Sequence, residues 1–198
     1  MIIEGRFNFI EMKTIKLFVA FFITATYVQI SMAQVSEMGL YLTREDYRDH
    51  KLSFENAANQ IRLNGLFETS DIIVWHDGKK QVLSKNEVFG YRLKNEDYRF
   101  FNNSAYRIID TIDFYIYSRY KLSQQNKGLK PVETYYFSTG TNTTVEMLTI
   151  SNLKTAYTKN TKFRYSIEQQ FRSDNELMAY DSDTKEYKLK YLFNESVK

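Results

Sequence analysis

Three-quarters of the way along the chain the spacing of apolar residues changes, and that change limits the fold more than any other feature. From Gln60 to about Thr144 the apolar residues come in short β-branched or aromatic runs. They are IRLN from Ile61, DIIVWHD from Asp71, KKQVLS from Lys79, VFGYRLK from Val88, YRFF from Tyr98, YRIIDT from Tyr106, IDFYIYSRYK from Ile112 and VETYYFST from Val132. Clusters of Asn, Asp, Gly or Lys separate them, the punctuation expected between strands. Ile112, Phe114 and Ile116 alternate with Asp113, Tyr115 and Tyr117, the period of two of a strand with one drier face. About eight such runs at close spacing predict an antiparallel β meander, as a curved sheet or a small barrel.

From about residue 145 the period becomes helical. Ile150, Leu153 and Tyr157 fall at i, i+3 and i+7, and Phe163, Ile167 and Phe171 at i, i+4 and i+8. Each set forms one stripe on a helix. SDNE, Ser173 to Glu176, has the form of a capping box that opens a further helix. The run Tyr187 to Phe193 is expected to be helical as well. These stripes need a surface, and the β portion supplies it, so the expected class is α+β with short C-terminal amphipathic helices packed on the sheet. Before the strands, Thr43 followed by Asp46 predicts a capped short helix, with Asp replacing the usual Glu or Gln. Pro131 is the only proline, and no repeat or Pro/Gly/Ser linker divides residues 34–198. They are read as one domain, β-rich to about 144 and helical beyond.

The first 33 residues belong to a different grammar. MKTIK, Met12 to Lys16, precedes the apolar run Leu17 to Ile30 and then Ser31, Met32 and Ala33. A basic segment, a short apolar segment and small residues at the −3 and −1 positions form a secretory signal, with cleavage expected between Ala33 and Gln34. The apolar run is shorter than the roughly 20 residues of a membrane span, and Gln29 interrupts it. Met12 is a natural start for such a signal, which leaves residues 1–11 as an extension. Removing residues 1–33 takes away Arg6, Lys13 and Lys16 against Glu4 and Glu11, leaving 24 basic and 22 acidic side chains in 165 residues, net +2. That balance lacks the concentrated cationic charge of a dedicated nucleic-acid binder. With no cysteine, neither a disulfide framework, a lipid anchor on Cys nor a cysteine nucleophile is available. An outer-membrane barrel needs strands of roughly ten residues with a lipid-facing apolar row, and most runs here are shorter and carry charge on both faces.

Three stretches together resemble a group of uncharacterised secreted proteins of Bacteroidota-type bacteria. They are GLYLTREDY from Gly39, HDGKKQVLSKNEVFGYR from His76, and LTISNLKTAY from Leu148 with FRSDNELMAYD from Phe171. The resemblance implies a bacterial origin and export. It implies no activity, cofactor or site residue.

Few residues here suit catalysis. Trp75-His76-Asp77 looks reactive, yet Asp77-Gly78 between two apolar runs is a strong hairpin signal, because a type I′ turn needs positive φ at both central residues. With that turn, His76 faces Lys79, Trp75 faces Lys80 and Ile73 faces Val82, and His76 is a strand-end residue. The two histidines, His50 and His76, are far apart in sequence, and YDSDTKEY from Tyr180 lacks the glycine and final glutamate of a calcium loop. An Asp/Ser-rich interhelical turn explains that stretch. The seven glycines are scattered, without a phosphate-binding or nucleophile-elbow pattern. No catalytic, cofactor-binding or metal residue is nominated. The 16 Tyr and 15 Phe either cover a sheet or form a stacking surface. Tyr91, Arg92, Tyr98 and Arg99 are the candidates for an aromatic and basic binding surface. The expected function is a soluble, exported envelope protein, periplasmic or extracellular, binding or structural rather than enzymatic, with an envelope protein or glycan as partner. The alternative is a small carboxylate-dependent hydrolase acting on glycans or peptides.

Overall fold

The computed structural model of the chain describes residues 38–55, 59–63, 69–125 and 128–198. The expected signal segment and its cleavage point therefore lie outside the described residues. The described part is a mixed α+β fold whose strands pair antiparallel.

Two-residue turns build much of the sheet. β3 (Asp71–His76) and β4 (Lys79–Ser84) are joined by Asp77 and Gly78, at φ 49° and 73°. β5 (Gly90–Leu93) and β6 (Glu96–Phe101) are joined by Lys94 and Asn95, at φ 50° and 64°. Asn102 and Asn103, at φ 47° and 61°, lead into β7 (Ser104–Asp110). All six residues are left-handed, as a type I′ turn demands, and Asn and Gly carry that conformation with least strain. The β3–β4 register pairs His76 with Lys79, Trp75 with Lys80 and Ile73 with Val82, as the Asp-Gly turn predicts.

Two eleven-residue strands, β8 (Tyr115–Gln125) and β9 (Gly128–Ser138), complete the central ladder. The main sheet has the order β1-β5-β6-β7-β8-β9-β10, with β1 (Gly39–Tyr41) beside β5 and β10 (Glu146–Met147) beside β9. A barrel would require its first and last strands to pair. Here the ladder ends at β1 and β10, of three and two residues, so the small-barrel option is corrected to an open sheet. β2 (Gln60–Arg62), β3 and β4 form a separate three-stranded sheet.

Alternation along β8 and β9 sends neighbouring side chains to opposite faces. Phe114, Ile116 and Phe137 on one face share a buried cluster with Leu153, Phe163, Ile167, Phe171, Leu177 and Leu189. Tyr117 and Tyr136 on the other face are buried with Tyr106 and Val145. The expectation of one drier face in this stretch is therefore corrected: at this end of the ladder both faces are dry. Ile112, placed on the same alternation, is instead 66% exposed, because Asp113 at φ 61° breaks the strand before β8 begins. A third cluster joins Leu40, Tyr91 and Phe100 to Ile72, Val74 and Val88.

The helical segments are α1 (Arg44–Arg48), α2 (Ile150–Ala156), α3 (Thr161–Gln170), a 3-10 turn at Asp174–Met178 and α4 (Lys188–Val197). The Thr43/Asp46 capping box closes in both directions. Thr149 and Asn160 cap α2 and α3 by accepting the N–H groups of Asn152 and Phe163. The Ser173 box does not form. Asp174 accepts the N–H of Ile150 at 2.8 Å and Glu176 that of Arg172 at 2.8 Å, so both carboxylates serve other backbone donors and only a short 3-10 turn results. The 180–187 stretch is not an interhelical turn either. It is a hairpin of β11 (Tyr180–Asp181) and β12 (Glu186–Tyr187), its loop closed by Asp181 accepting the N–H groups of Asp183 and Thr184. Lys190 of α4 is 2% exposed and donates to the carbonyls of Ile112 and Phe114, with Asp110 at 3.2 Å. Burial pushes its ammonium pKa down and Asp110 draws it partly back. The three acceptors hold α4 to the β7–β8 connection.

Candidate functional site

The β5–β6 register decides the fate of the four candidate surface residues. Tyr91 faces Tyr98 and Arg92 faces Asp97, while Arg99 faces Gly90. The tyrosines therefore lie on one face of the sheet and the arginines on the other. Tyr91 and Tyr98 stack with centroids 4.6 Å apart and planes at 1°. Tyr91 is 7% exposed, in the cluster with Ile72 and Val74. Arg92 grips Asp97 through two bonds of 2.8 and 2.9 Å, and Tyr41 donates to the same carboxylate at 2.9 Å. Arg99, 5% exposed, donates to the hydroxyls of Tyr117 (2.8 Å) and Ser138 (3.1 Å) and to the carbonyl of Thr143 (3.0 Å). Its guanidinium ties the 139–145 loop to the sheet. Tyr91, Arg92, Tyr98 and Arg99 are thus not one exposed surface, because their spacing alternates across a sheet whose two faces are both covered there.

The Trp-His-Asp stretch is a turn. His76 Nδ1 meets Asn59 Oδ1 at 2.8 Å, its Nε2 lies 3.4 Å from Asp77 Oδ2, and its ring packs edge-on against Phe54. A catalytic histidine needs an orienting carboxylate on one nitrogen and a nucleophile on the other. Here an amide oxygen and a solvent-exposed turn carboxylate take those two places.

Two recesses share Tyr47 and Thr111. One, of about 500 Å³, is lined by Arg44, Arg48, His50 and Tyr115. The other, of about 510 Å³, brings Glu96, Asp97, Arg107 and Asp110 together. Its carboxylates are engaged by cations. Glu96 accepts from Arg107 at 2.7 Å, Asp97 from Arg92, and Asp110 lies beside Lys190. Arg107 also donates to Glu133 at 3.0 Å. Hydrogen bonds from Tyr98 and Arg107 hold the Glu96 carboxyl below its ordinary range. Burial, then the Glu96 bond, pushes Tyr98 up to about 12. A glycosidase acid needs the opposite, a carboxyl kept protonated near neutral pH. Among the described residues no group of three or more His, Asp or Glu converges to hold a metal ion.

A third recess, of about 630 Å³, differs in kind. It is lined by Ala179, Tyr180, Asp181, Ser182, Thr184, Lys188 and Tyr191. Tyr180 is 57% and Tyr191 46% exposed, and Tyr187 meets Tyr180 edge-on at 5.2 Å. Two accessible rings thus border hydroxyl, carboxylate and ammonium groups. Sequence reasoning passed over these tyrosines because Tyr191 sits on a helix stripe and Tyr180 in a stretch read as a turn. Their separation by eleven positions gives no local signal. No family model, curated protein or solved structure matches the chain. No helix of the described residues is long and apolar enough to cross a membrane.

Proposed function

We propose that the chain is exported and serves in the bacterial envelope as a non-enzymatic binding module, with glycan as the ligand class. A curved antiparallel sheet with the C-terminal helices packed on it is the scaffold in this reading. The observation that carries it is the Tyr180–Tyr191 recess: exposed rings present flat apolar faces beside polar groups, the combination that stacks on a sugar ring and fixes its hydroxyls. The carboxylates Glu96, Asp97 and Asp110, by contrast, are already engaged by cations. The resemblance to secreted Bacteroidota-type proteins and the basic-then-apolar segment ending at Ala33 support export.

Titration of the protein with peptidoglycan fragments and envelope oligosaccharides tests the ligand class. Tyr180→Ala with Tyr191→Ala should weaken binding at least roughly tenfold, because each stacked ring contributes on the order of 1 kcal/mol. Failure of every glycan to bind, or equal binding by the double variant, would remove this reading. Export is checked separately. Mass spectrometry of the protein from its native host should find the N-terminus at Gln34, and a chain retaining Leu17 to Ile30 contradicts it.

A further inference from the structure

We infer that the distal half of the β8–β9 hairpin is an arm that docks on the anionic headgroups of a lipid bilayer. β7 pairs with β8 only as far as Ser118, and β10 meets β9 only at Tyr136 and Phe137. From Arg119, opposite Thr134, to Gln125, opposite Gly128, the two strands pair with each other alone among the described residues. That stretch of ladder is roughly 20 Å long.

The arm has two unlike faces. Alternation and register put Tyr120, Leu122, Leu129 and Pro131 on one of them, with Leu122 opposite Pro131. Tyr120 is 65%, Leu122 68% and Leu129 62% exposed. Arg119, Lys121 and Lys130 lie on the other face, with Lys121 and Lys130 exposed. Between Arg119 and Thr134 the described residues carry Arg119, Lys121 and Lys130 against one acid, Glu133, which sits opposite Tyr120 at the base of the arm and is already paired with Arg107. An exposed apolar row is costly in water unless something covers it. The charge decides what does. A ribbon lying in the interface with its apolar row toward the acyl chains leaves its lysines at the level of the phosphates, where each basic residue adds about 1 kcal/mol. Addition of a further β-strand fits less well. Proline in a sheet turns its nitrogen to a free edge, so Pro131 removes a donor there, and edge lysines oppose pairing. The inference stands on the arm alone and does not depend on the glycan reading.

The chain has no cysteine, so a Leu122→Cys variant of the full chain accepts one environment-sensitive fluorophore on the arm itself. It is mixed with vesicles of phosphatidylcholine alone or with about one-third phosphatidylglycerol. Fluorescence should rise several-fold with the anionic vesicles only and return to the free value in high salt. Lys121→Gln with Lys130→Gln should lower the apparent partition coefficient roughly 30-fold, at about fivefold per basic residue. No change with anionic vesicles, or an equal change with neutral ones, overturns the inference. So does a rise that follows protein concentration without lipid, which would make a second copy the occupant. A rise with DNA or an acidic protein but not with vesicles overturns it as well.

Discussion

One ladder of eleven residue pairs joins β8 to β9, and its two ends live in different solvents. At the base, Phe114, Ile116, Tyr117, Tyr136 and Phe137 are at most 5% exposed. Beyond Arg119 the same two strands expose Tyr120, Leu122 and Leu129 by more than 60%. One face of β8 is apolar in both halves, with Ile116 at the base and Tyr120 and Leu122 in the arm, while the other face changes from Tyr115 and Tyr117 to Arg119 and Lys121. The neighbours of that apolar face differ too: the base has β7 and β10 beside it and apolar clusters on both faces, while beyond Arg119 the two strands, among the described residues, pair only with each other. Apolar alternation therefore specifies a strand without specifying a core. Burial comes from whatever other elements reach that strand, and here they reach only half of it.

The contrast should be plain in unfolding experiments. Phe137→Ala, at the base, should cost about 3–5 kcal/mol, and Phe163→Ala on α3 a similar amount, because both rings leave cavities in one cluster. Unchanged denaturation midpoints for both would mean that the base is no better packed than the arm. A second hairpin gives an intermediate case. A Cβ at Gly78 would meet nothing within 4 Å, yet its φ is +73°, so Gly78→Val should lose about 1–2 kcal/mol from backbone strain alone. His76→Ala beside it should leave any binding or activity unaltered, and an abolished activity would restore the histidine as a site. In the arm, Leu122→Ala with Leu129→Ala should shift stability by no more than about 0.5 kcal/mol, the usual range for surface substitutions. A larger loss would show that the arm is packed against something.

The smallest effect is electrostatic, near the middle of the same sheet. The Glu96 carboxyl lies below its ordinary value because Tyr98 and Arg107 donate to it. A depressed carboxyl stabilises the fold above the unfolded pKa, and that contribution disappears as pH falls through the lower folded value. NMR titration should place its midpoint below that of an ordinary glutamate, and Arg107→Gln should move it upward. A midpoint unmoved by that change would mean that the ion pair is too hydrated to matter.

Local chemistry was readable wherever the cause was local. Thr43 and Asp46 lie three residues apart and cap α1, and Asp77-Gly78 sets the β3–β4 register without help. The stripes through Leu153, Phe163 and Ile167 are likewise visible, because a helix brings its own i+4 neighbour. What was not readable depends on distant partners. β1 is three residues long and exists because β5 pairs with it, Leu40 facing Tyr91 far along the chain. The Ser173 box yields because Ile150, 24 positions before Asp174, offers a donor. Arg99 looks like a surface cation until Ser138 and Thr143 close over it. The Tyr180–Tyr191 recess needs the β11–β12 hairpin and α4 together before both residues line it.

The paired left-handed turns also bear on how fast the sheet can assemble. Between β5 and β7 each strand finds its partner across two residues, so zipping from one strand to the next closes only a very short loop and surrenders little chain freedom at each step. Such hairpins form in microseconds. Bringing Leu153, Phe163 and Leu189 onto Phe114 spans 39 to 75 positions, and closing those separations is the slower event. The order of assembly is then ribbon first, core second, with the apolar side of the ribbon open to water in the interval.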